Sequence, residues 1–458
     1  IIVGSGPAGI STALSLEKNN IRCLLIESGN LNDSPDSESY LSGKVEGDEY
    51  ADLSSVRVKK FGGTSELWGG YCNKFEKKEF DKWPINYDEL EEFDDECKKI
   101  LDFKFYHSDF YINRFSKNFN QFNIRFSPVK FKEFYYDKIK NSKYIYLSLD
   151  TTFLNFIGKN KKIDYANCYR NRKNYKVSSK YYVLAAGGIE NSRLMLWSKE
   201  KNPSLLNNLS IGKNYMDHPW HQPAEGFLNY KQLIKYFEQH EVKREFYIDC
   251  LPRIYLSKSE SILEQENILR SGIYLKLENK DHINRDYYER AICIAPNFIK
   301  ENFEKIKDNF YKFSVNLHQE QEPSKINYIS LDNKTDPNGV PLVKIYWKMS
   351  ELLKKTSAVD LMLLSDFLID NEIGRISIDE KVLNLDNYSV MNGAHQIGGT
   401  CAGKNINNSV VNKNLKVHEV DNLFVSGSSV IPTSGYCHPT YTIVLLSIRL
   451  GYYLKKII

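Results

Sequence analysis

An α/β fold with a second, α+β domain is what this sequence predicts, and three observations predict it. The chain opens on an apolar strand, a glycine-rich turn and a helix. Two further apolar strands, ending near Leu184 and Val425, run into small residues in the same way. Between them, apolar and polar residues alternate around Ile273 and Val343, as half-buried strands of an antiparallel sheet do.

With 458 residues the chain exceeds one ordinary core, so a large domain and a second one are expected. The 62 Lys and Arg against 58 Asp and Glu leave a net charge of +4, and lysine clusters such as Lys159 to Lys162 are short. That balance gives no basis for nucleic-acid binding. No apolar run approaches the roughly 20 residues of a membrane span, and the best, Tyr441 to Leu454, is interrupted by Arg449. Cys23, Cys72, Cys97, Cys168, Cys250, Cys293, Cys401 and Cys437 lie far apart with no Cys-x-x-Cys pair. They read as free thiols in a reducing cytosol, with no metal site expected. The expectation is a cytoplasmic protein. The chain begins at Ile1 inside a strand rather than on Met, so a short preceding stretch is expected, a signal peptide among its possible forms.

Ile1 to Val3 reads as a buried strand, Gly4-Ser5-Gly6-Pro7-Ala8-Gly9 as a tight turn, and the residues through Glu17 as a helix with Ile10, Ala13, Leu14 and Leu16 apolar. A second strand, Ile21 to Ile26, ends on Glu27, near the offset of roughly 20 residues at which an acid grips a ribose hydroxyl. Gly4 permits the turn, Gly6 lets amides approach a pyrophosphate, and Gly9 with Ala13 lets helix and strand pack closely. This is a Rossmann-type dinucleotide fingerprint, which by itself leaves FAD and NAD both open.

Gly62-Gly63-Thr64-Ser65-Glu66-Leu67-Trp68-Gly69-Gly70 places four glycines among small polar residues, suiting backbone laid against a planar or phosphorylated ligand. Tyr182 to Leu184 enters Ala185, Ala186, Gly187 and Gly188, with a helix expected from Ile189 to Ser198. Asn422 to Val425 enters Ser426, Gly427, Ser428 and Ser429, and His438-Pro439-Thr440 opens an apolar helix through Leu454. Each segment alone has a plain alternative as a surface loop or core strand. Together they make nucleotide contacts from both ends of the chain.

The nucleotide domain is therefore expected to be discontinuous, residues 1–220 and 385–458, with 221–384 as the substrate domain. In the latter, the strands Ile273 to Glu278, Tyr328 to Leu331 and Val343 to Trp347 are expected to form one antiparallel sheet, with Leu352 to Leu368 a helix. Residues 221–270 show no clear period and are expected as a lid or a partner contact.

These motifs resemble the glucose-methanol-choline (GMC) oxidoreductase family, most closely a bacterial branch related to pyranose oxidase and to sugar or polyol dehydrogenases. Trp83-Pro84-Ile85, the turn Gly212 to Pro219, and Pro432 to Thr442 carry the resemblance further. It implies a Rossmann-type FAD-binding domain and oxidation of a CH–OH group of a sugar, polyol or sugar derivative, as oxidase or dehydrogenase. The partners expected are that small-molecule alcohol and an electron acceptor of unspecified kind. Asn392-Gly393-Ala394-His395-Gln396-Ile397-Gly398-Gly399-Thr400 resembles the family's His-x-x-Gly-Thr motif, implying that His395 is catalytic, and His438 matches a position held by His or Asn. The chemistry suits histidine, because the hydroxyl proton needs a neutral base as hydride leaves its carbon. The helix beginning at Pro439, expected as its first residue, would aim its positive end at charge developing on the flavin. Some relatives tether flavin through a histidine at the position of Leu67, so FAD is expected to be non-covalent here. His218 reads as part of a turn between domains, and His221, His240, His282, His318 and His418 have no motif support. The alternatives are a lyase that keeps FAD as scaffold and an electron-transfer module.

Overall fold

The computed structural model of the protein describes residues 1–103, 112–207, 209–240, 253–277 and 310–458. Glu278, His282, Cys250, Cys293 and residues 241–252 lie outside the described residues.

Five parallel strands form one sheet in the order Leu423–Val425, Tyr182–Leu184, Ile2–Val3, Cys23–Ile26, Ile145–Ser148. A parallel sheet covered on both faces calls for continuous apolar runs, which these short segments supply. The helix Pro7–Lys18 follows the central strand, with Pro7 at its start, where the missing amide hydrogen is no loss. The helix Thr440–Ile457 packs on it: Ser15 Oγ donates to the Ile448 carbonyl at 3.1 Å, and Gly451 leaves no room for a Cβ beside Ser15. The two ends of the chain thus build one layered unit. Pro439, expected as the first helical residue, stands one position earlier as the cap of this helix.

A second sheet is antiparallel throughout, in the order Gly374–Ile378, Trp220–Asn229, Phe310–Gln319, Ser271–Leu277, Arg253–Lys258, Phe119–Phe122, Ile112–Arg114. The helix Glu351–Asp370 shares a core with it, Leu353, Leu361, Leu364 and Leu368 lying in one apolar cluster with Ile273, Leu275, Phe313, Val315 and Leu317. A separate cluster lies around the parallel sheet, so the molecule has two principal cores.

Two expectations are corrected. Tyr328–Thr335 and Pro341–Trp347 form a hairpin, but it joins Gly43–Gly47, parallel to 341–347, in a separate three-stranded sheet. Gly43 makes this pairing possible, since a Cβ there would strike the Val343 carbonyl. The described part of 221–270 is no detached lid: Trp220–Asn229 sits inside the antiparallel sheet. A bulge between His221 and Ala224 puts the adjacent residues Pro223 and Ala224 both in the buried set, which breaks the period of two that pattern reading looks for.

The six described cysteines are free and buried, and no helix among the described residues is long and apolar enough to cross a membrane. A fully buried ion pair joins the antiparallel sheet to its helix. Lys258 Nζ meets Asp360 Oδ1 and donates to Ser271 Oγ at 2.7 Å, while Ser271 Oγ donates to Asp360 Oδ2 at 2.6 Å. Removing one charge strands the other. Lys258→Met should therefore lower unfolding stability by about 3–5 kcal/mol in a denaturant titration, and Lys258→Met with Asp360→Leu should recover most of that loss.

Candidate active site

Two segments remote in sequence meet as a pair of antiparallel bridges, Met216 with Ile397 and Trp220 with Met391. Asp217, fully buried, ties them together. Its carboxylate accepts from the backbone amides of His218 at 2.8 Å, Gly393 at 2.6 Å and His395 at 3.1 Å, and from the Tyr50 hydroxyl at 2.5 Å. Burial pushes its pKa up, and these four donors pull it back down. His218 and His395 are placed by the same carboxylate.

A third segment enters from the C-terminal loop. Ser434 Oγ accepts from the Gln321 amide at 2.9 Å, Trp83 Nε1 donates to Thr433 Oγ1 at 2.7 Å, and the Tyr436 hydroxyl donates to Glu76 at 2.5 Å. Beside Glu76, burial raises the Glu79 pKa well above the ordinary value, with the neighbouring Glu76 carboxylate adding to it. These contacts present His438 next to His318 from the strand Phe310–Gln319.

Four histidines therefore meet. His395 lies 4.9 Å from His438, 5.0 Å from His218 and 5.0 Å from His318, centroid to centroid, and His318 lies 5.0 Å from His438. His218 Nδ1 is 3.0 Å and His318 Nε2 is 3.2 Å from His395 Nδ1. One ring nitrogen from each of His218, His318 and His395 falls within 4.8 Å of the others, a grouping of the kind that can hold a metal ion. His218 and His318 are buried, whereas His395 and His438 are half-buried and face the remaining space. Burial holds His218 down at about 4 and His438 at about 3, and holds His318 and His395 well below the ordinary histidine value. All four rings are neutral near pH 7, and a neutral imidazole is a proton acceptor.

The glycines expected to hold a cofactor divide into two kinds. A Cβ on Gly4 would strike the Ala185 carbonyl, one on Gly9 the Gly4 carbonyl, and one on Gly188 the Gln396 carbonyl, so these three are demanded by the protein's own packing. Gly6 has only the Gly63 Cα at 4.0 Å, Gly187 has nothing within 4 Å, and Gly427 has only Asn191 and Ala8 atoms beyond 3.6 Å. Packing therefore does not demand glycine at these three positions, and Gly187 alone borders open space; all three lie at the C-terminal ends of the parallel strands, where ligands of open α/β sheets bind. Glu27 is buried and accepts from Ser5 N at 3.1 Å, Ser5 Oγ at 2.7 Å and Gly29 N at 2.8 Å. Ala186 N is engaged by Asn191 Oδ1 at 2.7 Å, Ser65 Oγ by the Gly62 carbonyl, and Trp68 Nε1 by the Val129 carbonyl. Thr64, Leu67 and Gly69 are exposed on the same loop, while Ser428 beside Gly188 and Pro439 are buried and Thr440 is half-buried. Gly188 abuts both Gln396 and Ser428, so the glycine turn after Leu184 packs directly against the residue following His395.

Residues 323–447 match the family described as GMC oxidoreductase. The C-terminal segment of this chain is thus similar to that of a GMC oxidoreductase. His395 and His438 fall inside the matched segment, while His218 and His318 precede it. The chain is similar to the fructose dehydrogenase large subunit of Gluconobacter japonicus, 26% identical over 290 residues, which are 61% of this chain and 47% of that one. It also resembles the 2-methyl-1,2-propanediol dehydrogenase of Mycolicibacterium austroafricanum, 29% identical over 146 residues, 31% of this chain and 25% of that one. The chain thus matches less than half the length of these relatives. Among solved structures, a formate oxidase superposes with a TM-score of 0.59 at 16% identity, covering 99% of this chain and 97% of its own. A pyridoxine 4-oxidase from Mesorbium loti gives 0.61 at 13%, covering 99% and 98%. At such identities the likeness is one of fold: a mixed α/β architecture shared with these two oxidases.

Pattern reading missed His318, Asp217 and Tyr50. For His318 a signal existed: Phe313, Val315 and Leu317 alternate with Ser314, Asn316 and His318, all buried, so the strand carries a polar face inside the molecule. Asp217 stands in the turn Gly212 to Pro219, but nothing local shows that its carboxylate reaches Gly393, His395 and Tyr50.

His218 titrates near 6.5 when unfolded and at about 4 in the fold, so between those values the unfolded chain binds the extra proton and acid favours unfolding. Asp217 and Glu79, raised in the fold, act in the opposite sense. The His218 effect is therefore read as a difference from His218→Asn. As pH falls from 7 toward 4, the wild type should lose stability relative to that variant, by up to roughly 3 kcal/mol, in denaturation midpoints taken across the range.

Proposed function

We propose that this protein is an FAD-dependent oxidoreductase that oxidises a CH–OH group of a sugar, polyol or related small alcohol. The observation that carries this reading is the half-buried, neutral pair His395 and His438, set beside bare glycine backbone at the C-terminal ends of a parallel sheet. Sugar and diol dehydrogenases among the relatives favour the same substrate class.

In this reading residues 1–220 and 385–458 form a Rossmann-type FAD-binding domain and 221–384 the substrate domain, to which the strands Ile112–Arg114 and Phe119–Phe122 are added by their place in its sheet. The open backbone at Gly6, Gly187 and Gly427 fits a long planar and phosphorylated group, with the first turn of the helix Pro7–Lys18 offering amide hydrogens to a pyrophosphate. Glu27, Gly62, Gly63 and Ser428 line the same region. Bound FAD supplies the hydride acceptor. His395 takes the hydroxyl proton and His438 helps orient the hydroxyl, while the buried His218 and His318 exclude water behind them. Leu67 has no atom able to bond the flavin, so FAD is held non-covalently. Six buried free thiols suit a reducing, cytoplasmic setting.

Under anaerobic conditions, a panel of sugars and polyols should bleach the yellow enzyme, and acid precipitation should release the colour into solution. A flavin untouched by every alcohol would sink the oxidoreductase reading, and colour retained in the pellet would sink the non-covalent one. His395→Ala should retain FAD but slow its reduction by about 10²–10⁴-fold in stopped flow.

Gly6 separates cofactor binding from folding. Its φ of −75° suits any residue, and a Cβ there meets only Gly63 Cα. Gly6→Val should abolish flavin retention while changing the unfolding stability of the apoprotein by no more than about 1 kcal/mol. Full retention of FAD would remove Gly6 from the cradle.

A further inference from the structure

Protons among the clustered histidines are not free to be placed at will. A backbone carbonyl only accepts, so the Ser434 carbonyl 2.9 Å from His218 Nε2 requires a hydrogen on that nitrogen. The Tyr436 carbonyl 2.9 Å from His318 Nδ1 requires one there too, and Tyr274 Oη, 3.3 Å away, shares it. In neutral rings this leaves His218 Nδ1 and His318 Nε2 as bare lone pairs. Both point at one atom, His395 Nδ1, at 3.0 and 3.2 Å.

Were His395 Nδ1 also bare, three lone pairs would converge in a buried space. Either a hydrogen on His395 Nδ1 or a metal ion resolves the conflict. Zinc ligands at 2.0–2.1 Å in tetrahedral array stand about 3.3 Å apart. The observed 3.0 and 3.2 Å are shorter and lie at hydrogen-bond separation. The proton is the better occupant.

We propose that His218 and His318 are positioning residues that lock His395 in its Nδ1–H tautomer, leaving Nε2 as the single lone pair it offers to a substrate hydroxyl. His395 Nε2 has no hydrogen-bond partner among the described residues, and the ring is half-buried rather than sealed. When the hydroxyl O–H bond breaks, its proton passes to Nε2 and forms an N–H bond. The resulting imidazolium keeps its Nδ1–H aimed at two lone pairs, and those contacts become charge-assisted. The inference rests on His395 being the base of the proposed reaction, but the tautomer is a property of the protein alone.

The test reads it directly. Long-range proton–nitrogen NMR of holoenzyme labelled with ¹⁵N-histidine, with His395 assigned by its loss in His395→Gln, should show a protonated Nδ1 and an unprotonated Nε2. An Nε2–H tautomer, or stoichiometric zinc or copper by metal analysis of the purified protein, would overturn the proposal. Asn can set an oxygen near the place of Nδ1, and Gln near that of Nε2. His218→Asn and His318→Gln should therefore keep the pattern and reduce flavin within about threefold of wild type. The double variant His218→Leu with His318→Leu should lose the preference and slow flavin reduction by about 10²-fold or more. If that pair fails to fold, each single Leu variant carries the same comparison, and wild-type tautomer and rate in both would overturn the assignment. An Nδ1–H tautomer in a protein whose flavin no alcohol reduces would defeat the proposed reaction and leave the lock standing.

Discussion

One buried carboxylate organises the histidine cluster of this molecule. Asp217 gathers the amides of His218, Gly393 and His395 and the hydroxyl of Tyr50, and so fastens the loop before the strand Trp220–Asn229 to a loop 176 to 178 residues later. A carboxylate withdrawn from water is costly, and hydrogen bonds to an ionised acceptor, each contributing about 1.5–3 kcal/mol, are what offset that cost. The main-chain amide of His395 is thereby held by the Asp217 side chain, a contact that a change of the His395 rotamer does not disturb. The orientation of its ring then falls to His218 and His318.

Depth separates the four histidines into two layers. His218 and His318 each spend one nitrogen on a backbone carbonyl and turn the other toward His395, while His395 and His438 are only half-buried. Desolvation keeps every ring uncharged near neutral pH. The same burial explains why acidic carboxyls nearby, Glu79 above all, are pushed upward rather than down.

The glycine loops show a comparable division of labour. Gly4, Gly9 and Gly188 exist because backbone from elsewhere occupies the space a side chain would need, whereas Gly6, Gly187 and Gly427 face no such neighbour. Joining the strand Leu423–Val425 and the helix Thr440–Ile457 to the opening strand and helix closes the unit around those loops. Residues from both ends of the chain therefore build this unit.

Much of this was legible locally. The opening strand, turn and helix, the later strands into Gly187 and Gly427, and the helix 351–370 all follow from apolar runs and turn residues that act within a few positions. The motif around His395 and the His438 position likewise stand out in the sequence. What pattern reading misjudged, it misjudged for physical reasons. A bulge after His221 hid the strand at 220–229, and the hairpin 328–347 was drawn to Gly43–Gly47 by a pairing that no local period encodes. His218 read as a turn and His318 as unremarkable, because their roles depend on carbonyls and on a ring more than a hundred and seventy or seventy residues away. The sequence by itself determined the strands, turns and helices whose apolar runs and turn residues act within a few positions. Only the tertiary structure decided which distant polar groups share one buried space, since hydrogen bonding among them has a direction and a distance that composition and period do not carry.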